Sequence, residues 1–399
     1  MKVFLKAFFI MVLLASLTFP VLARNFDLPQ PSGPNSVGTM RLGFVDPSRK
    51  GIFTSNPDEY REIAVQVWYP TTDDLQGKEP LFYIPDRTVG KYIAKRLGMP
   101  NVFGKLAAVR TNSYLDAGLS AGTDKYPVVV FSAGYGNIGN ANTVQMEELA
   151  SHGYVVFSIS HTYEDVASIF PDGRIAYFDP KQMKVFTDDL LRAAKETKAK
   201  KPENPVKYGI EQSKMAYQSV HIWSDDTSFV VDQIEKLASG EIKSIFEGRL
   251  DVANMGVFGH SFGGATAGQV CITDFRFKAF INLDGSPFGD IINNPVKQPF
   301  MLITADGREI PLTAGYSPEQ TNYLVVYIKG ATHSDFMDFS ILFPVFRYIG
   351  MFGKIGGERN SQIVNDYVTA FFNKYLKGKE EPLIDQMIFK YPEVRLEAK

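Results

Sequence analysis

The chain has 399 residues, with 42 Lys and Arg against 44 Asp and Glu, a net charge of −2, 45% hydrophobic residues and one cysteine. That composition supplies a large apolar core and excludes a disordered chain, while the near-neutral balance removes the overall basic character on which nucleic-acid binding relies. One Cys, Cys271, excludes an internal disulfide, and five scattered His give no zinc-type spacing, so neither a metal nor a cofactor is expected.

Residues 1–23 place Lys2 and Lys6 before the apolar stretch AFFIMVLLASLTF and end on Val21-Leu22-Ala23. This reads as a secretory signal cleaved after Ala23 rather than an anchor, because the stretch, interrupted by Pro20, is short for the ~20 residues a spanning helix needs. The expectation is an exported protein, periplasmic or secreted, with one domain over residues 24–399. Residues 37–45 and 61–69 have no helix between them and read as an antiparallel pair at a sheet edge. Gly118-Leu119-Ser120-Ala121-Gly122 has no strand before it and no helix after it, and reads as a flexible loop. Apolar runs at 126–132, 153–160, 253–258, 277–283, 299–305 and 322–328 then alternate with helical periodicity at 140–151, 213–239, 262–271 and 360–376. Nearly continuous hydrophobic strands alternating with amphipathic helices predict an α/β fold, a mostly parallel sheet with helices on both faces. Residues 164–225 fit this alternation least and read as an insertion over the sheet. Within it Lys195, Lys198, Lys200 and Lys201 are taken as a solvated helix end rather than a patch for an anionic surface.

The chemistry concentrates later in the chain. Gly259-His260-Ser261-Phe262-Gly263 follows the apolar Val257-Phe258 and opens a helix of small residues, the context of a nucleophile elbow. Glycines flanking the serine let strand and helix backbones approach, so Ser261 is the candidate nucleophile. A serine hydroxyl needs a base, and in strand-to-helix elbows the chain order is Ser, acid, His. Only His333 follows Ser261; His260 cannot turn its ring onto the neighbouring oxygen. Asp284 and Asp306 both end strands at the carboxyl edge, and periodicity leaves the two even as the acid.

Three stretches carry a resemblance: GRLDVANMGVFGHSFGGATAGQVCITDFRFKAFINLDGSPFGD (248–290), KGATHSDFMDFS (329–340) and GGERNSQIVNDYVTAFFNKYL (356–376). They resemble the plasma-type platelet-activating-factor acetylhydrolases and their bacterial relatives, with weaker similarity through FSAGYGN and WYPTTD back to about residue 37. The resemblance implies an α/β-hydrolase fold and a calcium-independent serine esterase, 1-alkyl-2-acetylglycerophosphocholine esterase-like, acting on short or oxidised acyl groups of a glycerophospholipid. It selects Asp284 over Asp306 by spacing. It also places the oxyanion donors at the backbone N–H groups of Phe262 and Tyr135. Ala133 stands where the family commonly has His, and Gly285 where many animal members have an aromatic, which implies a different acyl pocket. Residues 340–353, with Arg347 their one charge, are either core packing beneath the rim or a peripheral lipid contact. The alternatives are a general carboxylesterase or dienelactone-hydrolase-like enzyme on small or polymeric esters, and a hydrolase-fold binding protein without turnover.

Overall fold

In the computed structural model, which describes residues 27–54, 56, 58–85, 87–96, 103–307 and 312–399, ten strands make one sheet. In chain order the strands are β1 (Ser36–Lys50), β2 (Tyr60–Thr71), β3 (Ser113–Leu115), β4 (Tyr126–Ser132), β5 (Val155–Ser160), a small separate hairpin β6 (Ala167–Ile169) and β7 (Ile175–Tyr177), then β8 (Leu250–His260), β9 (Phe277–Leu283), β10 (Phe300–Ala305), β11 (Tyr323–Ile328) and β12 (Val394–Ala398). The sheet order is β12-β11-β10-β9-β8-β4-β5-β2-β1-β3. From β5 to β11 all neighbours are parallel, whereas β1–β2, β2–β5 and β11–β12 are antiparallel. The expected antiparallel pair at 37–45 and 61–69 is β1 with β2, but the short β3, parallel to β1, forms the edge beyond it. The expected signal at residues 1–23 lies outside the described residues, in which no helix is long and apolar enough to cross a membrane.

The helices are α1 (Arg87–Arg96), α2 (Thr143–Ser151), α3 (Pro180–Lys200), α4 (Pro205–Gln212), α5 (Lys214–Ser239), α6 (Phe262–Thr273), α7 (Phe339–Leu342), α8 (Gly357–Lys377) and α9 (Pro382–Asp385). Strand β4 shows why the sheet must be covered twice: all seven of its residues are buried, and successive side chains point to opposite faces. Val129 and Phe131 join Met146 of α2 and Tyr367 and Phe371 of α8 on one face. Val128 and Val130 join Val230 and Ile234 of α5 and Val270 of α6 on the other. Each such aliphatic or aromatic side chain contributes about 1.5–3 kcal/mol on burial.

The segment expected as an insertion is the hairpin β6–β7 followed by α3, α4 and the start of α5. Asp179 caps α3 by accepting a 2.8 Å hydrogen bond from the Lys181 N–H, and Pro180 takes the first turn, where its missing donor costs nothing. Only Phe186 and Ala193 of α3 are buried. Its last turn carries Lys198 and Lys200, where cations complement the helix dipole, and Lys201 ends it in a left-handed conformation. The segment 118–122 is irregular but not loose. Ser120 is buried, its N–H bonds the Pro70 carbonyl at 2.9 Å, and its own carbonyl accepts from Tyr126 and Arg249.

The chain order changes direction at β4, with β5 on one side of it and β8 on the other. In open α/β sheets the crevice at the carboxyl end of such a switch is where ligands bind. Here it lies between the loop after β4 and the turn after β8.

Candidate active site

The turn after β8 sets Ser261 at φ 56° and ψ −117°, a conformation that a residue with a Cβ holds only under strain of roughly 1–3 kcal/mol. Its N–H bonds the Leu283 carbonyl at 2.8 Å, so the strained residue is tied to the end of β9. The backbones at this corner nearly touch. A Cβ on Gly263 would stand 1.9 Å from the Ser132 carbonyl oxygen, and one on Gly134 would stand 3.2 Å from the Ser261 Cβ. The glycines thus let α6 and the loop after β4 close on the serine.

His333 begins a short 3-10 turn after β11. Its Nε2 lies 2.9 Å from Ser261 Oγ and its Nδ1 lies 2.6 Å from Asp284 Oδ2. The His333 side chain is partly open to solvent, whereas that of Asp284 is wholly buried. The other Asp284 oxygen accepts from Thr304 Oγ1 at 2.5 Å and from the Ala305 N–H at 3.2 Å, which fixes the carboxylate plane. Asp306, the other candidate acid, faces away. It pairs with Arg395 of β12 at 3.3 Å on the outer edge of the sheet. The structure therefore brings Ser261, His333 and Asp284 together and leaves Asp306 outside. With Asp284 accepting from Nδ1–H, the Nε2 lone pair faces the serine proton, the tautomer that general-base chemistry needs.

Phe262 and Tyr135 flank the same corner. Phe262 opens α6, where the first N–H groups of a helix have no internal acceptor, and neither its N–H nor that of Tyr135 bonds a backbone carbonyl of the described residues. His260 has a use that its motif position hides. It is buried, its Nε2–H donates to the His333 carbonyl at 3.1 Å, and its ring lies 4.8 Å from the His333 ring. Burial, and then the neighbouring His333, push its pKa down to about 3, so it stays a neutral prop. Asp335 was also not anticipated. It accepts from the Thr332 N–H at 2.6 Å, the Thr332 hydroxyl at 2.8 Å and the Gly353 N–H at 2.7 Å, and so closes the loop that presents His333. A Thr followed three residues later by an acid is a capping-box pattern and was the available signal.

Behind Tyr135 lies Glu164, buried and accepting from Ser219 Oγ at 2.7 Å and from the Trp223 indole at 2.9 Å. Burial pushes its carboxyl up to about 7, partly offset by the Ser219 and Trp223 bonds and by Arg61. An acid with a raised folded pKa stabilises below its unfolded value of about 4.3, and that contribution is lost as pH climbs through about 7. Glu164→Gln does not titrate, so its melting temperature relative to wild type is expected to rise by several degrees between pH 5.5 and 8.5. Melting curves across that range check it.

Residues 339–351 divide into two sets. Phe339, Ile341, Phe343 and Phe346 pack against a cluster with Tyr83, Ile138 and Leu342, while Val345, Tyr348, Ile349 and Met351 stand exposed, Tyr348 at 74%. Cys271 is buried and its thiol is pushed well up by that burial, which keeps it from acting as a nucleophile. Among the described residues no group of three or more His, Cys, Asp or Glu side chains is arranged to hold a metal ion.

A mostly parallel sheet flanked by helices, with a strained serine at the strand-to-helix corner and an imidazole after the penultimate strand, is the α/β-hydrolase fold. Comparison with known proteins narrows the class to the carboxylic ester hydrolases. The sequence model of a family described as platelet-activating factor acetylhydrolase, isoform II, matches residues 22–386, and the chain belongs to that family. It is 26% identical over 379 residues to the platelet-activating factor acetylhydrolase of Canis lupus familiaris, covering 88% of this chain and 78% of that one. It is 24% identical over 412 residues to a probable 1-alkyl-2-acetylglycerophosphocholine esterase of Arthroderma benhamiae, covering 93% of each. Among solved structures, a ferulic acid esterase from Streptomyces cinnamoneus superposes with a TM-score of 0.71 at 26% identity, over 93% of this chain and 99% of that one. The alternative of a binding protein without turnover gives way to an ester hydrolase.

Proposed function

We propose that the chain is an exported serine esterase that cleaves short-acyl phospholipid esters through an acyl-enzyme on Ser261. The observation that carries this reading is the continuous hydrogen-bonded chain from Ser261 Oγ through His333 to the buried Asp284, at 2.9 and 2.6 Å. His333 Nε2 takes the serine proton as Oγ attacks the ester carbonyl. The resulting oxyanion accepts from the Phe262 and Tyr135 N–H groups, each such donor typically contributing about 3–4 kcal/mol to lowering the barrier. The same Nε2 then protonates the leaving alcohol, and in the second half it takes a proton from water, whose oxygen attacks the acyl carbon, and returns that proton to Ser261 Oγ as the bond to the acyl carbon breaks and the acid leaves. Asp284 stays ionised, holds the tautomer and stabilises the imidazolium.

The kinship with a platelet-activating factor acetylhydrolase and a probable 1-alkyl-2-acetylglycerophosphocholine esterase supports an acetylated ether phospholipid as substrate. The exposed Val345, Tyr348, Ile349 and Met351 suit contact with a lipid aggregate, and the basic start and apolar stretch of residues 2–23 support export. A second reading, an esterase of small or aromatic-acid esters, is favoured by the solved neighbour, a ferulic acid esterase.

Turnover on soluble acyl esters of graded length, on a feruloyl ester, and on an acetylated ether phospholipid beside its long-acyl counterpart separates the two. The expected result is a kcat/KM on the acetylated phospholipid at least ten-fold above the long-acyl lipid. Hydrolysis of the feruloyl or soluble esters with none of the phospholipid overturns the substrate assignment and leaves the esterase.

A further inference from the structure

The loop that carries Tyr135 is held more firmly than a connection between a strand and a helix requires. Four rings stack in one column. Phe186 lies on Tyr135 at 3.9 Å between centroids and 11° between planes, Tyr135 lies over Trp223 at 5.9 Å and 16°, and Trp223 lies on His161 at 3.9 Å and 11°. Phe186 comes from α3 and Trp223 from α5, so the inserted segment supplies the two rings that enclose Tyr135. Burial, and then the charge of Glu164, push the pKa of the Tyr135 hydroxyl up.

The last ring of the column belongs to a second Ser–His–Asp chain. His161 Nδ1–H donates to Asp226 Oδ2 at 2.9 Å, and its Nε2 accepts from the Ser132 hydroxyl at 3.0 Å. Asp226 is gripped by Arg61 through both oxygens, at 3.0 and 2.5 Å. Burial holds His161 neutral, down to about 4, while Arg61 and His161 keep Asp226 ionised against its own burial. The atoms match those at Ser261, but Ser132, His161 and Asp226 are all 1% exposed or less, so no substrate reaches them. What Ser132 does have is a place in the chain: it ends β4, three residues before Tyr135.

Beyond Tyr135 the Gly136 N–H donates to the Glu164 carbonyl at 2.9 Å, and the Val166 N–H donates to the Asn137 carbonyl at 2.7 Å. Gly134 abuts Ser261. The peptide that presents the Tyr135 N–H is thereby pinned before, at and after that residue, while the N–H itself bonds no backbone carbonyl of the described residues.

We propose that the ring column and the buried Ser132–His161–Asp226 chain are positioning elements that hold the Tyr135 N–H where the oxyanion forms. The inference rests on the reading of Ser261 as nucleophile. Its energetic logic is that a donor aimed at the tetrahedral oxygen acts in the transition state and little in the bound ester. A misplacement of about 1 Å in such a group can cost ~100-fold in rate.

The test uses the full-length enzyme and Phe186→Ala, Ser132→Ala and Phe186→Tyr, with kcat and KM on a soluble acetyl ester. It adds the inhibition constant of a trifluoromethyl ketone, which forms the tetrahedral adduct, and the pH–rate profile. Phe186→Ala is expected to lower kcat about 10- to 100-fold with KM within three-fold, and to weaken the ketone by the same factor. Ser132→Ala moves both in the same direction by about 5- to 30-fold. Phe186→Tyr, which restores a flat ring, recovers at least half of wild-type kcat. The acid limb of the profile stays in place, since His333 and Asp284 are untouched.

Folded variants with kcat and ketone affinity within two-fold of wild type overturn the proposal, as does a fall in kcat that the ketone does not follow. Should Ser132→Ala fail to fold, Phe186→Ala decides, because α3 buries only that residue and Ala193. Wild-type enzyme that cleaves no ester and is not labelled at Ser261 defeats the parent reading instead.

Discussion

Ser261→Ala is expected to lower kcat on any ester by about 10⁵-fold or more and to abolish labelling by a fluorophosphonate, with the melting temperature held or raised. Removal of the nucleophile of a serine hydrolase leaves only binding and the oxyanion donors, so losses of this order follow. Stability does not follow the activity, because the backbone at residue 261 keeps φ 56° beside close-packed backbones in both proteins. Neither Ala nor Ser relieves that strain, but the alanine leaves no polar side chain at the corner. Active-site titration and turnover on a soluble acetyl ester check it. A labelled residue other than Ser261, or a loss below ten-fold, would refute the assignment.

Asp284→Asn is the second large effect. Asn can donate from nitrogen where Asp284 Oδ2 accepts the His333 Nδ1–H at 2.6 Å, so the imidazole is driven to the tautomer whose Nε2 bears the proton and cannot accept from the serine. A loss of about 10³- to 10⁴-fold in kcat is expected, equivalent to about 4–5.5 kcal/mol of transition-state stabilisation. Asp306→Asn is the matched control. Its partner is Arg395 across the sheet edge, both partly exposed, and exposed pairs contribute about 0–1 kcal/mol; its kcat should stay within three-fold of wild type. Parallel pH–rate profiles of the two variants decide which carboxylate orients the imidazole.

The sheet was legible because its strands are buried on both faces. Runs such as YPVVVFS have no polar residue between the apolar ones to suggest a helix, and Tyr126–Ser132 and Phe277–Leu283 fall where the hydrophobic runs begin and end. Ser261 and His333 were legible because local context, an elbow and a chain order, singles them out. Between Asp284 and Asp306 local context is silent. Each ends a parallel strand, and only the lateral step from β9 to β10 carries one toward His333 and the other to the edge beside β12. Of helix α3 only the lysine-rich end was legible, since a helix that buries two residues leaves almost no apolar stripe to detect. The three-residue strands and β12 were missed for a related reason: pieces so short carry no period, and β3 and β12 bond to partners distant in sequence. His161 and Asp226 meet across 65 positions with nothing in their spacing to announce it.

The placement of Trp223 has a practical corollary. The chain contains two tryptophans, and the other, Trp68, is buried in β2. Trp68→Phe would leave a single tryptophan, which can be excited selectively over the 19 tyrosines, stacked on His161 and bonded through its indole N–H to Glu164. Emission from that lone indole becomes a label-free optical gauge of the loop that carries Tyr135, read in a stopped-flow trace on mixing with an ester.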